Sequence, residues 1–196
     1  LIGNTIRLPF ASVGATENII MASILARGET KIYNAAREPE VVDLSNCLRS
    51  MGAQIFGDGT EIIRIIGINK LVKAKHKILS DRIVAGTYII AAVMLNYEFT
   101  IKQINPNHLT SLIELLKKMG ANLIISKDSI KVMPSNKLKS SKIITQSKFL
   151  INMGILKRAE IISRNLSFSK KSNIFFRLKR LIDKNQMGQL FKVIFV

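Results

Sequence analysis

This sequence is poor in the residues that most often build reactive centres. It has one cysteine, Cys47, which excludes a disulfide framework and any multi-cysteine metal site. Its two histidines, His76 and His108, stand 32 positions apart and leave little for a histidine-based metal cluster. The longest apolar run, Tyr88 to Leu95, is far below the roughly 18 residues that cross a bilayer. The start, Leu1-Ile2-Gly3-Asn4, lacks the basic region and apolar stretch of a secretory signal, so a cytoplasmic location is the default expectation. Acidic residues are also scarce, 13 against 30 Lys and Arg, and a net charge of +17 normally suggests a polyanionic partner.

The chain nevertheless has the means to fold. With 196 residues, 47% hydrophobic and 22% charged, it can bury a core as one domain or two small ones. The charge is uneven. Residues 1–136 hold 16 basic and 11 acidic side chains, like an ordinary globular protein, whereas residues 137–196 hold 14 basic and 2 acidic. The chain also begins with Leu1, directly in strand-like sequence (Ile2, Ile6, Leu8), which suggests a fragment.

A weak internal repeat organises the first two thirds. Leu48-Arg49-Ser50-Met51-Gly52-Ala53 recurs as Leu116-Lys117-Lys118-Met119-Gly120-Ala121. Before each copy comes a small-residue helical segment (Ile19–Ala26, then Ile89–Leu95) and a β-prone run (Thr30–Tyr33, then Phe99–Ile104). After each come two short alternating strands, Gln54–Phe56 with Glu61–Ile66 and Asn122–Ser126 with Ser129–Met133, joined by Gly57-Asp58-Gly59 and Lys127-Asp128. Val42, Leu44, Leu48 and Met51 mark the expected apolar stripe of one helix; Leu109, Leu112, Ile113 and Leu116 mark the other. Gly52 and Gly120 fall where a helix C′ residue needs positive φ. Each unit reads helix, strand, helix, hairpin, and cannot cover its own sheet face alone. The expected object is an α/β domain of repeated units, with helices inside and sheets outside or the reverse.

Three segments carry the polar chemistry. Ser12-Val13-Gly14-Ala15-Thr16-Glu17 lies between a strand and a helix; its free amides suit phosphate oxygens, and an ordinary N-cap explains the same residues. No Gly-Lys-Ser/Thr follows, so it is no Walker loop. In Asn34-Ala35-Ala36-Arg37-Glu38-Pro39-Glu40-Val41-Val42-Asp43, Pro39 fits a first helical turn with Glu40 and Asp43 near its positive end. Arg37 and Glu38 in the preceding loop are either site residues or a local ion pair. In Ser80-Asp81-Arg82-Ile83-Val84-Ala85-Gly86-Thr87, Asp81 is placed to cap a helix, and Arg82 either meets an anion or pairs with Asp81. Cys47 reads as packed core, and His76 and His108 as exposed residues without a role. No triad, paired carboxylates or metal signature can be assembled.

Taken together, Ser12–Asn18, Asn34–Leu44, Met51-Gly52-Ala53 and Asp81–Thr87 resemble, in order and spacing from about Leu1 to Thr145, the bacterial UDP-N-acetylglucosamine enolpyruvyl transferases. The Ala-Arg-Glu-Pro-Glu stretch separates that family from its shikimate-pathway sister. The resemblance implies an inside-out α/β barrel of βαβαββ units, with residues 1–80 completing the UDP-sugar-side domain and residues 81–145 opening the second. It implies transfer of enolpyruvyl from phosphoenolpyruvate to the sugar hydroxyl through a tetrahedral intermediate, in a closed interdomain cleft, without metal or organic cofactor. Ser12, Val13 and Gly14 match the family's UDP-sugar contacts; Ala11, Arg37, Glu38 and Arg82 match residues with a lesser claim. Phe10 stands where the family often has lysine, and Val84 where it usually has glutamate.

The same resemblance implies absences. The family's catalytic cysteine loop, its phosphoenolpyruvate-gripping lysine and arginines and its aspartate base lie outside this stretch, and Cys47 does not match that cysteine. The fragment is therefore expected to lack turnover alone. After Thr145 the match stops at Gln146-Ser147-Lys148-Phe149-Leu150, and the Lys, Asn, Ile, Phe and Ser bias of residues 146–196 resembles out-of-frame translation of AT-rich DNA, with helical segments expected from composition. A competing reading makes residues 137–196 a nucleic-acid or membrane-surface binder, with Lys170, Lys171, Arg177, Lys179, Arg180 and Lys184 beside Phe175, Phe176, Leu178, Leu181 and Ile182.

Overall fold

The computed structural model describes residues 1–136 together with Leu138 and Lys139. The tail's expected helices, and the basic side chains of the competing binding reading, lie outside the described residues.

The chain divides after Leu79 into two units. In the first, β1 (Thr5–Arg7) leads to α1 (Val13–Ser23), β2 (Glu29–Tyr33), α2 (Pro39–Ser50) and the hairpin β3 (Gln54–Phe56)–β4 (Ile62–Ile66). In the second, α3 (Arg82–Leu95) is followed by β5 (Phe99–Lys102), a 3₁₀ turn over Pro106–Leu109, α4 (Thr110–Lys118) and the hairpin β6 (Asn122–Ile125)–β7 (Ser129–Met133). The helix, strand, helix, hairpin repeat is thus realised twice.

Both sheets use one pairing scheme. The first runs β1-β2-β4-β3 and the second β5-β7-β6, so β5, β7 and β6 take the places of β2, β4 and β3. The β1–β2 pair is parallel and the remaining pairs are antiparallel. The second sheet has no counterpart of β1 among the described residues.

Alternation decides the buried faces. In the first unit Ile32, Ile55, Ile63 and Ile65 point inward and meet Ile20 and Ile24 of α1 and Val41 and Leu48 of α2. In the second, Leu123, Ile130 and Val132 meet Ile89, Ile90 and Val93 of α3 and Leu112, Ile113 and Leu116 of α4. Both helices of each unit therefore cover one sheet face and leave the other to solvent. Gly52 and Gly120 close α2 and α4 with φ of 96° and 93°, as the repeat required.

Two expectations about α2 shift. Its most buried positions are Val41, Ser45 and Leu48, while Val42 and Leu44 are half-buried. The stripe rotates by one residue because Ser45 can go inside: its hydroxyl donates to the Val41 carbonyl at 2.9 Å, so the helix satisfies the buried polar group itself. Cys47 is half-buried rather than core, one position off this stripe.

Candidate functional site

The open end of α1 is the first feature of the site. Ser12 is extended at φ −103° and ψ 123°, and its hydroxyl accepts from the Ala15 amide at 3.3 Å. The cap uses one amide, and the amides of Val13 and Gly14 stand at the helix end, where the helix itself offers no acceptor. Gly14 is exposed, and a side chain added there would meet open space. Ser12 and Ala11 are half-buried, and Val13 packs its side chain on the core below. The corner is at the surface.

Thr16 joins this corner to the second motif. It is fully buried, its hydroxyl donates to the Ser12 carbonyl at 2.7 Å, and the same oxygen accepts from the Ala36 amide at 3.0 Å. One hydroxyl thus fixes the start of α1 and the loop that carries Arg37. Asn34, at a left-handed φ of 58°, adds a second tie through its amide nitrogen to the Leu8 carbonyl at 3.1 Å. The sequence reading passed over Thr16. A hydroxyl one turn inside an N-cap was the available signal, but its partner is 20 residues away and visible only in the fold.

The charged residues sort differently from their expectation. Glu38 takes the N-cap position of α2 without a side-chain cap, and Pro39 opens the helix. Arg37 is exposed and reaches across to Glu61 at 2.8 Å, so its ion pair is with the β4 side of the sheet rather than local. Burial, and then the nearby Glu40 and Glu38 carboxylates, push the Glu17 carboxyl above its ordinary range. Phe10 is 64% exposed.

In the second unit, Asp81 caps α3 as expected, its Oδ1 accepting from the amides of Ile83 and Val84 at 2.8 and 2.9 Å. Arg82, only 7% exposed, is buried at the helix start, and Val84 is half-buried. The histidines also differ from expectation. His76 is half-buried with its Nε2 3.0 Å from Asp43 Oδ1, while Asp43 Oδ2 accepts from the Leu79 amide at 3.4 Å. His108 is half-buried in the 3₁₀ turn beside Asn105. Among the described residues no cluster of three or more His, Cys, Asp or Glu could hold a metal, and no helix is long and apolar enough to cross a membrane.

A surface pocket of about 530 Å³ completes the first unit. It lies at the ends of β1 and β2 and is lined by Arg7, Leu8, Pro9, Tyr33, Asn34, Glu61 and Ile62. The sequence reading singled out none of these as a ligand contact, because the β1–β2 register that sets Arg7 opposite Tyr33 is a tertiary fact.

These features meet known proteins at several levels. UDP-N-acetylglucosamine 1-carboxyvinyltransferase of Finegoldia magna is 45% identical over 147 residues, 74% of this chain and 35% of that protein. A second enzyme of that name from Carboxydothermus hydrogenoformans is 48% identical over 145 residues, again covering 35% of its length. The chain spans about a third of the curated relatives it matches. Among solved structures, EPSP synthase from Acinetobacter baumannii aligns over 82% of this chain and 37% of its own, with 26% identity and a TM-score of 0.56. The enolpyruvyl transferase NikO from Streptomyces tendae shares the fold, with a TM-score of 0.65 at 22% identity over 82% of this chain and 42% of its own. The family model of EPSP synthase (3-phosphoshikimate 1-carboxyvinyltransferase) matches residues 1–156, eleven residues beyond the point where the motifs stop. With its repeated α/β units and these matches, the chain belongs to the EPSP synthase family of enolpyruvyl transferases.

Proposed function

We propose that this chain is part of a transferase that moves enolpyruvyl from phosphoenolpyruvate to UDP-N-acetylglucosamine, supplying the nucleotide-sugar half of the site. The observation that carries this reading is the exposed start of α1, where Ser12, Val13 and Gly14 offer amides and a dipole to a diphosphate. The names of the relatives at 45–48% identity support the same substrate. Thr16 ties the loop that carries Arg37 and Glu38 to the start of α1, which supports counting Arg37, Glu38 and Ala11 as weaker contacts of the same substrate. Arg82 serves the neighbouring repeat, which opens the second domain of the complete enzyme. On this reading the transfer uses no metal or organic cofactor and belongs to the cytoplasm, to cell-wall synthesis and hence to cell shape and division.

Transfer itself requires charge stabilisation at the attacked carbon and removal of the proton from the attacking sugar hydroxyl, and the family residues that the resemblance assigns to those tasks lie outside this stretch. The purified 196-residue chain is therefore expected to bind UDP-N-acetylglucosamine weakly, with amide shifts centred on Val13 and Gly14, and to release no phosphate from phosphoenolpyruvate. Shifts that avoid residues 12–14 would remove the substrate assignment. Measurable phosphate release would show that the chain is catalytically complete.

A further inference from the structure

We infer that the pocket at the ends of β1 and β2 is a second ligand site, distinct from the α1 corner, that takes a small organic anion with a flat apolar body. The argument starts from register. Arg7 pairs with Tyr33 and Tyr33 with Ile62, so these three side chains form a row across β1, β2 and β4 on the face turned away from the core. Leu8, Pro9, Asn34 and Glu61 wall the row to give about 530 Å³, a volume in the range of small-molecule pockets.

The charges within it are unequal. The Arg7 guanidinium lies 4.7 Å from the Tyr33 ring centroid, and among the described residues it has no carboxylate partner. The ring face holds the cation at this position while the guanidinium keeps N–H groups for a ligand. Glu61, the one acidic wall, is paired with Arg37 at 2.8 Å. The pocket therefore presents one cation without a carboxylate partner beside Leu8, Pro9 and the 44%-exposed Ile62. A carboxylate or phosphate would meet the fork through two parallel hydrogen bonds, and a planar body would rest on the apolar wall. None of the corner residues Ser12, Val13 or Gly14 lines this space.

The test uses the ¹⁵N-labelled 196-residue chain and two probes, phenyl phosphate and inorganic phosphate, at about 150 mM ionic strength so that unspecific attraction is screened. Phenyl phosphate should give saturable shifts at Arg7, Tyr33, Asn34 and Ile62, and inorganic phosphate should bind the same residues roughly tenfold more weakly because it lacks the flat body. Arg7→Gln should weaken phenyl phosphate by about tenfold or more. Arg7→Lys, which keeps the charge and loses the fork, should recover only part. Equal affinity for the two probes, an Arg7→Gln variant that binds as the parent does, or no saturable shift would each overturn the proposal. Shifts centred on Val13 and Gly14 would also overturn it while leaving the nucleotide-sugar reading intact. A chain that binds phenyl phosphate here yet ignores UDP-N-acetylglucosamine would overturn that reading alone.

Discussion

The two repeat units are built alike and finished differently. Aligned by their caps, Ser12 and Asp81, the helices α1 and α3 carry Ile20-Met21-Ala22 against Ile89-Ile90-Ala91, but α1 has Glu17 and Asn18 where α3 has Gly86 and Thr87, and only α3 is apolar nearly all round. Accordingly 11 of the 14 residues of α3 are buried, whereas in α1 only Thr16, Ile20 and Ser23 are, and Met21, like Leu25 just past the helix, faces solvent. A helix apolar on every side is made to be covered on every side. In the first unit one face of α1 is left open beside the end that offers its amides. The strands differ in the same sense, since β1 extends only the first sheet and creates the only Arg–Tyr stack among the described residues. The leading helix of one unit is buried nearly all round, and that of the other keeps an exposed side.

The sharpest way to break this contrast is a charge at matched positions. Ile90→Lys places an ammonium where the side chain is buried in α3, and the desolvation cost of several kcal/mol should abolish cooperative unfolding of the second unit. Met21→Lys, at the equivalent place in α1, should change stability by less than about 0.5 kcal/mol. Thermal melts followed by hydrogen exchange would check both. Equal destabilisation by the two variants would mean that the open face of α1 is covered in solution.

How much of this was legible beforehand follows from the range of each interaction. The repeat, the hairpin limits, the C′ glycines and the caps at Ser12 and Asp81 are signalled within four or five residues, so sequence pattern reaches them. The second helix stripe, Leu109, Leu112, Ile113 and Leu116, was right because no polar residue competed for burial there. The stripe of α2 slipped by one because Ser45 enters the core through a bond to its own helix, which hydrophobicity cannot foresee. The paired left-handed residues Asn34 and Gln103, at φ 58° and 59°, went unseen since neither is glycine, though both end the first strand after a repeat's leading helix. The Thr16–Ala36, Arg37–Glu61 and His76–Asp43 contacts span 20 to 33 residues and belong to the tertiary fold.

A pH series sharpens the comparison next. In the first unit Arg49 grips Asp58 with both fork nitrogens, at 2.7 and 2.9 Å, and also donates to the Ile55 carbonyl at 3.0 Å, tying α2 to its hairpin. The hydrogen bonds from Arg49, more than its charge, hold the Asp58 carboxyl below the usual carboxylate range. The pair in the second unit, Lys131 with Glu98, is more exposed, at 38% and 55% against 33% and 10%. A lowered carboxyl pKa adds stability that is present above its unfolded value near 3.9 and is lost as pH falls through the folded value. Asp58→Asn should therefore cost about 1 kcal/mol at pH 7 and nothing in strong acid, with Glu98→Gln nearly silent throughout. Parallel losses for the two variants would remove the distinction.

The helix caps offer a smaller test. Asp81 serves two amides at under 3 Å and Ser12 one at 3.3 Å, so Asp81→Ala should cost about 1 kcal/mol and Ser12→Ala about half as much. Beyond stability, Ser12→Ala should weaken UDP-sugar binding, because the cap also sets how the Val13 and Gly14 amides point. Urea midpoints and a ligand titration on the same samples would separate the two effects. Asp81→Ala should leave that binding unchanged.

Glu17 supplies the smallest effect, and its sign opposes that of Asp58. Burial first, and Glu40 and Glu38 second, raise its carboxyl pKa, so the folded state favours the protonated form relative to the unfolded chain. The associated stability is fully present below the unfolded glutamate value near 4.3 and is lost as pH rises through the raised folded value. Glu17→Gln should therefore stabilise the first unit slightly at pH 7 and match the parent at pH 3. The same change removes a negative charge near the amides that the proposed function assigns to a diphosphate, so on that proposal it should tighten UDP-sugar binding most at neutral pH and low salt. A Glu17→Gln variant that binds more weakly would mean that the carboxylate touches the ligand as an acceptor, and the open corner of α1 would then be read as a sugar-hydroxyl contact in place of a phosphate cradle.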